Sequence, residues 1–203
     1  MDAVFHPQYS LHLYEYLLII EPDSLVQKQL QAFKQYFSKA HPYRNAILPR
    51  GHLTLMRFIQ YDSYEKHIIG AFQRIANQAT PFDVELSGFG SFGHTLYIDV
   101  KSTIPILQLI ANHSQILRPL VNGSNGHPVR LTGKPHITVA RKLTPSQHAA
   151  IWPIWNRTQY RNKFRARNMI LLKRRVGTHR YATVRKYDFL GLSPAVMQGK
   201  LFA

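Results

Sequence analysis

The chain has 203 residues, of which 45% are hydrophobic and 18% charged; this length suits one large domain or two fused lobes, and this composition excludes a disordered chain. It contains no cysteine, which excludes disulfide bonds, a thiol nucleophile and a thiolate metal site, and an intracellular compartment is expected. The formal net charge of +16 arises after residue 117: residues 1–117 hold nine Lys/Arg against nine Asp/Glu, and residues 118–203 hold seventeen against the single acid Asp188.

In chain order, the first unit predicts strand, helix, strand, helix and strand. Residues 16–20 are a short apolar run, and Pro22 then opens a helix whose apolar positions recur every three or four residues. Residues 51–55 predict the second strand, and Asp62 begins the second helix in a capping-box-like pattern. Residues 81–89 predict the third strand and complete the unit.

The second unit follows the same order. Residues 95–100 predict a strand that a Gly-containing turn at 90–93 joins to the previous one, and a helix is predicted after residue 103. A Gly-rich loop at 122–126 leads to a strand at 136–139.

A strong helix start follows, because Thr144 offers an N-cap, Pro145 occupies the first helical position and Gln147 the third. Residues 165–174 predict one closing strand, and residues 181–187 predict a final antiparallel strand after a Gly turn.

The repeated order predicts an α+β fold in which a duplicated unit forms two lobes that face each other across a cleft. We expect one bilobal domain over residues 1–203, with lobe one at about 14–90, lobe two at about 94–190 and possible exchange of strands between them. Antiparallel sheets would line the cleft, with helices outside. The most apolar run near the start, residues 17–20, is too short for a membrane span or signal peptide, so a cytoplasmic protein is expected.

Two histidines stand in the same local pattern, one in each unit. His52 and His136 are each followed two residues later by a threonine, Thr54 and Thr138, with an apolar strand former between. Strand alternation places each histidine and its threonine on one face, so an imidazole and a hydroxyl can reach one ligand. Two such pairs supply an acid, a base and two donors to phosphate oxygens.

A single H-x-T in a strand is more often a hydrogen-bonded core or surface residue, and the duplication is what favours a site. Metal ligation is the other sharp interpretation. A metal site would require carboxylates or further histidines at helical or turn spacing. The sequence shows no such arrangement, so neither a metal nor another cofactor is expected.

The motifs HLTL at 52–55 and KPHITVAR at 134–141 resemble those of the two-histidine phosphoesterase superfamily, specifically its 2'-5' RNA ligase-like branch. The resemblance spans nearly the whole chain, including residues 81–90. It implies a bilobal α+β fold with pseudo-twofold symmetry. It also implies that His52 and His136 are catalytic and that Thr54 and Thr138 contact phosphate.

Further substrate contacts are hypotheses. Relatives often have a basic or apolar residue directly after the first motif, whereas Met56 intervenes here; strand alternation then directs Arg57 away from the histidine face, and no role is given to it. Arg141 follows the second motif as in the family and is a candidate phosphate ligand, although alternation directs it away from His136 unless the strand bends. Phe92 and Tyr181 are candidates for stacking on a base.

The resulting hypothesis is a metal-independent phosphoesterase that opens the 2',3'-cyclic phosphates of RNA ends or nucleotides, and the reverse reaction would join ends as a 2'-5' RNA ligase. One histidine would activate water and the other would protonate the leaving ribose oxygen. The alternatives are a non-catalytic RNA-binding module, favoured by the basic second half, and a phosphodiesterase for another cyclic or 2'-5' linked nucleotide. The basic residues within 157–185 would either extend the cleft for a longer RNA strand or be a solvated hairpin surface. The oligomeric state stays open.

Overall fold

The computed structural model describes residues 12–41, 50–121 and 127–193, and within them the chain forms one nine-stranded antiparallel sheet with five α-helices. The strands are β1 (Leu13–Ile20), β2 (Leu53–Tyr61), β3 (Phe82–Ser91), β4 (Thr95–Val100), β5 (Arg130–Leu131), β6 (His136–Arg141), β7 (Arg161–Ala166), β8 (Asn168–Arg175) and β9 (Ala182–Asp188). The helices are α1 (Ser24–Ala40), α2 (Glu65–Gln78), α3 (Thr103–Ala111), α4 (Ser114–Val121) and α5 (Pro145–Trp155). The predicted α+β class is therefore confirmed, but the predicted separate antiparallel sheets are wrong, because the strands pair into one continuous sheet.

The sheet consists of two four-stranded halves joined at its centre. The strand order is β7-β3-β4-β6-β2-β1-β8-β9, with β5 paired to β2 off this path. We call β2-β1-β8-β9 the first sheet half and β7-β3-β4-β6 the second sheet half. They meet where β2 and β6 pair antiparallel at Leu53 and Ile137. The predicted lobe bounds and pseudo-twofold symmetry stay predictions.

The prediction of one strand over residues 165–174 is wrong. β7 pairs with β3 in the second sheet half, whereas β8 pairs with β1 in the first, and the chain passes from one half to the other at Arg167. Because both segments have strand-forming composition, no turn residue marks the crossing in the sequence. The first part of the chain therefore contributes β3 to the second sheet half, where it pairs with β4 and β7. The last part of the chain contributes β8 and β9 to the first sheet half.

Helix caps explain where the helices begin. Asp23 caps α1 by accepting the backbone N–H of Val26 at 3.0 Å, so α1 begins two residues after the predicted Pro22. At α5, Thr144 and Gln147 form the predicted capping box, which is confirmed.

The capping role predicted for Asp62 is wrong. A 3-10 helix at Asp62–Tyr64 precedes α2, and Asp62 instead accepts the backbone N–H of His12 at 3.3 Å. Helix α4 was not predicted, and the predicted Gly-rich loop at 122–126 lies outside the described residues.

One hydrophobic core covers a single face of the sheet, which we call the core face. All five helices contribute to it, and the core-face residues of the central strands include Leu18, Leu53, Ile98 and Ile137. The opposite face of the sheet, which we call the site face, therefore carries the alternate residues of each strand. No helix among the described residues is long and apolar enough to cross a membrane.

Candidate active site

The junction between β2 and β6 brings the two H-x-T motifs together. Leu53 and Ile137 pair directly and both lie on the core face, so the residues on either side of each belong to the site face. Because the strands are antiparallel, His52 lies on the side of Thr138, and Thr54 lies on the side of His136. All four side chains are half-buried, so the sheet presents two imidazoles and two hydroxyls at one place on its site face.

The same hydrogen bond orients both imidazole rings. Nδ1 of His52 lies 3.1 Å from the carbonyl oxygen of Arg50, and Nδ1 of His136 lies 2.7 Å from that of Lys134. A carbonyl oxygen can only accept, so each Nδ1 carries a hydrogen and donates it. In the neutral ring Nε2 then has a free lone pair, and in the protonated ring it has a hydrogen to donate.

A β-bulge turns Arg141 onto the site face. In the pairing of β4 with β6, Tyr97 faces Thr138 but the next residue, Leu96, faces Ala140, so Val139 is the extra residue. Val139 and Ala140 are both buried on the core face, and Arg141 returns to the face of His136. Strand alternation puts Arg141 on the face of His136 only if the strand bends, and the bulge supplies that bend.

A matching bulge reverses the expectation for Arg57. In the pairing of β1 with β2, Ile19 faces Thr54 and Leu18 faces Met56, so Leu55 is the extra residue. The predicted direction of Arg57, away from the histidine face, is therefore wrong, because simple alternation ignores the bulge. One feature of the sequence would have revealed this: both arginines stand five residues after their histidine, in H-L-T-L-M-R and H-I-T-V-A-R.

His52 is half-buried in a positively charged environment. Burial is the main cause that lowers the pKa of His52 below its ordinary value, and the charges of Lys34, Arg141 and His136 lower it further. The hydrogen bond to the carbonyl of Arg50 acts in the opposite direction and is outweighed. The neutral form of His52, which accepts a proton at Nε2, is thus favoured.

Helix α1 supports His52 from the core face. The side-chain amide of Gln27 donates to the carbonyl oxygen of Gly51 at 2.6 Å and accepts its N–H at 3.1 Å, which fixes the residue before the histidine. A Cβ at position 51 would overlap Leu30, so glycine permits this close approach. The same helix also bonds to the second sheet half, since Gln29 accepts from the side chains of Tyr160 and Asn162 at 3.0 and 2.5 Å.

Lys34 on the same helix is 5% exposed, and burial lowers its pKa to about 8. Its charge is one of those that act on His52. A signal in the sequence could have identified this lysine, because it stands in the apolar stripe of the helix between Leu30 and Phe37.

Aromatic rings surround His136. The ring centroids of Phe92 and Tyr97 lie 5.1 and 5.0 Å from that of His136, and 4.4 Å from each other. Phe92 is 43% exposed, so one face of this cluster is open to a ligand. Lys134 lies 5.1 Å from the centroid of the Tyr97 ring and 3.7 Å from Asp99, and these contacts hold the loop whose carbonyl orients His136.

A bond from α5 supports the turn that carries Phe92. The side chains of Ser91 and His148 are 2.6 Å apart, and Ser91 also accepts the N–H of Gly93 at 2.9 Å. Since the hydroxyl accepts from Gly93, its own hydrogen can be donated to the imidazole of His148. No sequence signal indicates this pair, because its members are 57 positions apart.

Tyr181 has a different setting from the other predicted site residues. Its hydroxyl donates to Glu15 on β1, and its ring packs against the guanidinium of Arg174, 4.8 Å from the ring centroid. Arg57 also reaches this group, because its guanidinium lies 4.0 Å from Glu15. The contacts of Tyr181 therefore belong to Glu15 and its arginines, while His52, His136, Thr54, Thr138, Arg141 and Phe92 group around the junction.

Within the part of the chain that the structure describes, no three histidine, aspartate or glutamate side chains come together in a group that could hold a metal ion. The chemistry available at the junction is that of two oriented imidazoles, two hydroxyls and an arginine on one face. Such a set can bind a phosphate group and move protons on and off its oxygens.

Comparison with known proteins gives one family. A model of the 2'-5' RNA ligase superfamily matches residues 22–178. No curated protein matches. Among solved structures, the fold is similar to TT0787 of Thermus thermophilus, with 16% identity, a TM-score of 0.63 and coverage of 87% of this chain and 98% of that one.

The fold is also similar to LigT of E. coli. The apo form has 18% identity and a TM-score of 0.59, and the match covers 87% of this chain and 98% of LigT. LigT complexed with 3'-AMP gives 16% identity and a TM-score of 0.57, with coverage of 88% and 98%.

Proposed function

The chain belongs to the 2'-5' RNA ligase superfamily, and from that membership we propose that it is a metal-independent phosphoesterase acting on 2',3'-cyclic phosphates of RNA ends or nucleotides. The observation that carries the proposal is the junction, where two imidazoles with equivalent Nδ1 bonds lie beside two threonine hydroxyls. The complex of LigT with 3'-AMP supports a nucleotide ligand, since 3'-AMP has a phosphate on the ribose.

In the proposed hydrolysis, His52 is the general base. Its lowered pKa keeps it neutral near pH 7, so Nε2 takes a proton from water as the water oxygen attacks phosphorus. The bond between phosphorus and one ribose oxygen breaks, and His136 donates the proton from its Nε2 to that oxygen. The product is a ribose phosphomonoester. If the 5'-hydroxyl of another RNA end attacks phosphorus in place of water, the same two proton transfers and the same broken bond join the two ends through a phosphodiester.

The other groups at the junction bind the phosphate. The hydroxyls of Thr54 and Thr138 donate to its non-bridging oxygens, and the guanidinium of Arg141 stabilises the negative charge that develops there. Phe92, exposed beside His136, offers a ring face on which a base can stack. Tyr181 is proposed to act further along the site face, through Glu15 and Arg174.

We also propose that a pseudo-twofold axis through the junction relates the two sheet halves. The matched bulges, the matched bonds from Nδ1 to a carbonyl and the matched spacing of histidine, threonine and arginine support this relation.

The test is hydrolysis of a nucleoside 2',3'-cyclic phosphate in the presence of a chelator. We expect His52→Ala and His136→Ala each to lower kcat by about 10²–10⁴-fold, because each removes one proton transfer. His67→Ala, which removes an exposed histidine on α2, is the control and should keep full activity. Activity that needs a metal, or that survives in both site variants, would refute the proposal.

A second candidate function is an RNA-binding module without turnover, which the charge of the second half favours. On β7, Arg161, Lys163 and Arg165 are exposed and alternate along one face of the strand. This candidate predicts binding of RNA that persists in His52→Ala and His136→Ala, together with no turnover of any cyclic phosphate. A phosphodiesterase for 2'-5' linked oligonucleotides would differ only in the substrate that is cleaved.

A further inference from the structure

Arg57 has no part in the proposed reaction, yet the fold turns it onto the site face. Without the bulge at Leu55, strand alternation would send Arg57 to the core face and Met56 to the site face. Instead, Leu55 and Met56 are both fully buried, while the Arg57 side chain is 40% exposed. A bulge disrupts the ladder of hydrogen bonds, so its effect on the position of a charged side chain points to a function for that side chain.

The partner of Arg57 is a carboxylate that other groups already satisfy. Glu15 is 14% exposed and accepts from Arg174 at 2.9 Å and from the hydroxyl of Tyr181. Burial tends to raise the pKa of Glu15, but these hydrogen bonds and the arginine charges outweigh burial and hold the pKa below its ordinary value. Glu15 is thus a fixed anion in the working pH range.

Arg57 lies 4.0 Å from Glu15, which is longer than a hydrogen bond. The two charges therefore attract each other, but no N–H group of Arg57 is hydrogen-bonded to Glu15. An arginine guanidinium has five N–H donors in a planar fork that matches two oxygens of a phosphate. Arg57 is thus oriented by charge and keeps donors with which to bind a ligand oxygen.

Arg57 and Arg141, each five residues after a motif histidine, lie at different places on the site face. Arg141 acts on the pKa of His52, which places its charge at the junction. Arg57 acts instead on Glu15, whose Cα partner is Ile59, two positions further along β2. The guanidinium of Arg57 is therefore held on the side away from the junction.

We propose that Arg57 forms a second anion subsite that binds the phosphodiester next to the reacting phosphate, so that the preferred substrate is an oligonucleotide end and not a mononucleotide. This inference rests on the proposed function, since it takes the junction as the site of the reacting phosphate. A nucleic-acid strand supplies a second phosphate at a fixed interval from its terminal one, and a mononucleoside cyclic phosphate has none. Glu15 orients Arg57 in this subsite, and Arg174 and Tyr181 hold Glu15.

The experiment compares two substrates, a mononucleoside 2',3'-cyclic phosphate and a dinucleotide that ends in the same cyclic phosphate. The wild type should have the lower KM for the dinucleotide. Arg57→Gln should reduce the ratio of the two KM values by about tenfold or more, because a charge-assisted hydrogen bond to phosphate is lost. Arg57→Lys, which keeps the charge without the planar fork, should recover part of the ratio.

The control is Arg74→Gln, which removes an exposed arginine from α2 and should retain the wild-type ratio. Thermal unfolding of each variant identifies a loss of folding. A dinucleotide preference equal to that of the wild type in folded Arg57→Gln would overturn the subsite, as would the absence of any preference in the wild type.

A binding measurement separates failure of the subsite from failure of the proposed function. If neither cyclic phosphate is turned over, the proposed function fails, and the subsite is tested by calorimetry with a dinucleotide 3'-phosphate and a nucleoside 3'-phosphate. Tighter binding of the dinucleotide, reduced about tenfold or more in Arg57→Gln, would support the subsite. Equal loss of both affinities, or no loss, would overturn it.

Discussion

The imidazoles of His52 and His136 share one hydrogen-bond pattern but have different surroundings. Both donate from Nδ1 to the carbonyl oxygen two residues earlier. His52 lies beside positive charges, whereas His136 lies against the rings of Phe92 and Tyr97. A ligand bound across the junction therefore meets two different histidines, and this asymmetry is the basis for giving them different roles.

At this scale we expect Arg141→Gln to raise the pKa of His52. The arginine charge disfavours a second positive charge on the imidazole, so its removal allows His52 to bind a proton at higher pH. The titration of the His52 ring proton by NMR measures this shift directly. Arg74→Gln is the matched control, and an unchanged or lower pKa in Arg141→Gln would show that the two charges do not interact.

The pKa of His52 should also determine how activity depends on pH. Because burial and nearby cations hold the pKa of His52 below its ordinary value of ~6.5, more than half of this proposed base is neutral at pH 6.5, and the acid limb of kcat/KM should lie below that pH. In Arg141→Gln that limb should move upward. A limb that stays in place while the NMR titration moves would assign the catalytic base to another group.

The elements that position the site are α1 and the two bulged strands. Helix α1 packs on the core face at the junction, where Gln27 holds Gly51 through two hydrogen bonds. It also bonds to Asn162 on β7, in the other sheet half. The element that holds His52 in place therefore also spans both halves of the sheet.

At this scale we expect Gly51→Ala to destabilise the protein by about 1–3 kcal/mol, because the added methyl group overlaps Leu30 and lies 3.3 Å from Ile137. Gly70→Ala in α2 should have the opposite sign and stabilise by about 0.5–1 kcal/mol, since its Cβ meets only the flexible end of Arg74. Urea unfolding of both variants measures these changes. A Gly51→Ala variant as stable as the wild type would mean that α1 shifts freely away from β2.

Most elements could be predicted because their signals are local. The box of Thr144 and Gln147 and the alternation around His52 and His136 depend on residues within one turn or strand. The crossing at Arg167 could not be predicted, because it depends on which strand each segment pairs with. The bulges at Leu55 and Val139 escaped strict alternation for the same reason, although two consecutive apolar residues in each motif are their trace.

The site residues likewise divide into those that a local sequence pattern indicated and those that it did not. The motif spacing indicated the four residues at the junction, and the turn composition indicated Phe92, which the fold places against His136. Glu15 and the pair of Ser91 and His148 had no such signal, since their roles arise from contacts between distant segments. The apolar stripe of α1 indicated the burial of Lys34 but not its effect on His52.

The excess positive charge is concentrated in residues 118–203, and these residues supply strands to both edges of the sheet. β7 ends one edge and β9 ends the other. Exposed basic residues therefore flank the junction on both sides, and the electrostatic field should draw a polyanion to the sheet from either side.

At this scale we expect the association constant for single-stranded RNA to fall with salt, with a log–log slope of about −0.7 for each phosphate contacted. Fluorescence anisotropy over a range of KCl concentrations measures the slope. His52→Ala should keep it, since it removes a neutral group, whereas Arg57→Gln should make it shallower by about one contact. A slope near zero in the wild type would show that the basic residues do not take part in binding.

Strands β2 and β6 pair directly only at Leu53 and Ile137, with two further pairs from β5 to β2, whereas neighbouring strands elsewhere along the strand order are joined by ladders of several residue pairs. His52 and His136 lie one on each side of the pair of Leu53 and Ile137. A small rotation between the halves would change the gap between the two imidazoles while leaving each ring, its carbonyl and its threonine as a rigid set. The gap between the two imidazoles therefore depends on this narrow junction, and α1, which bonds to Gly51 and to β7, restrains the angle between the halves.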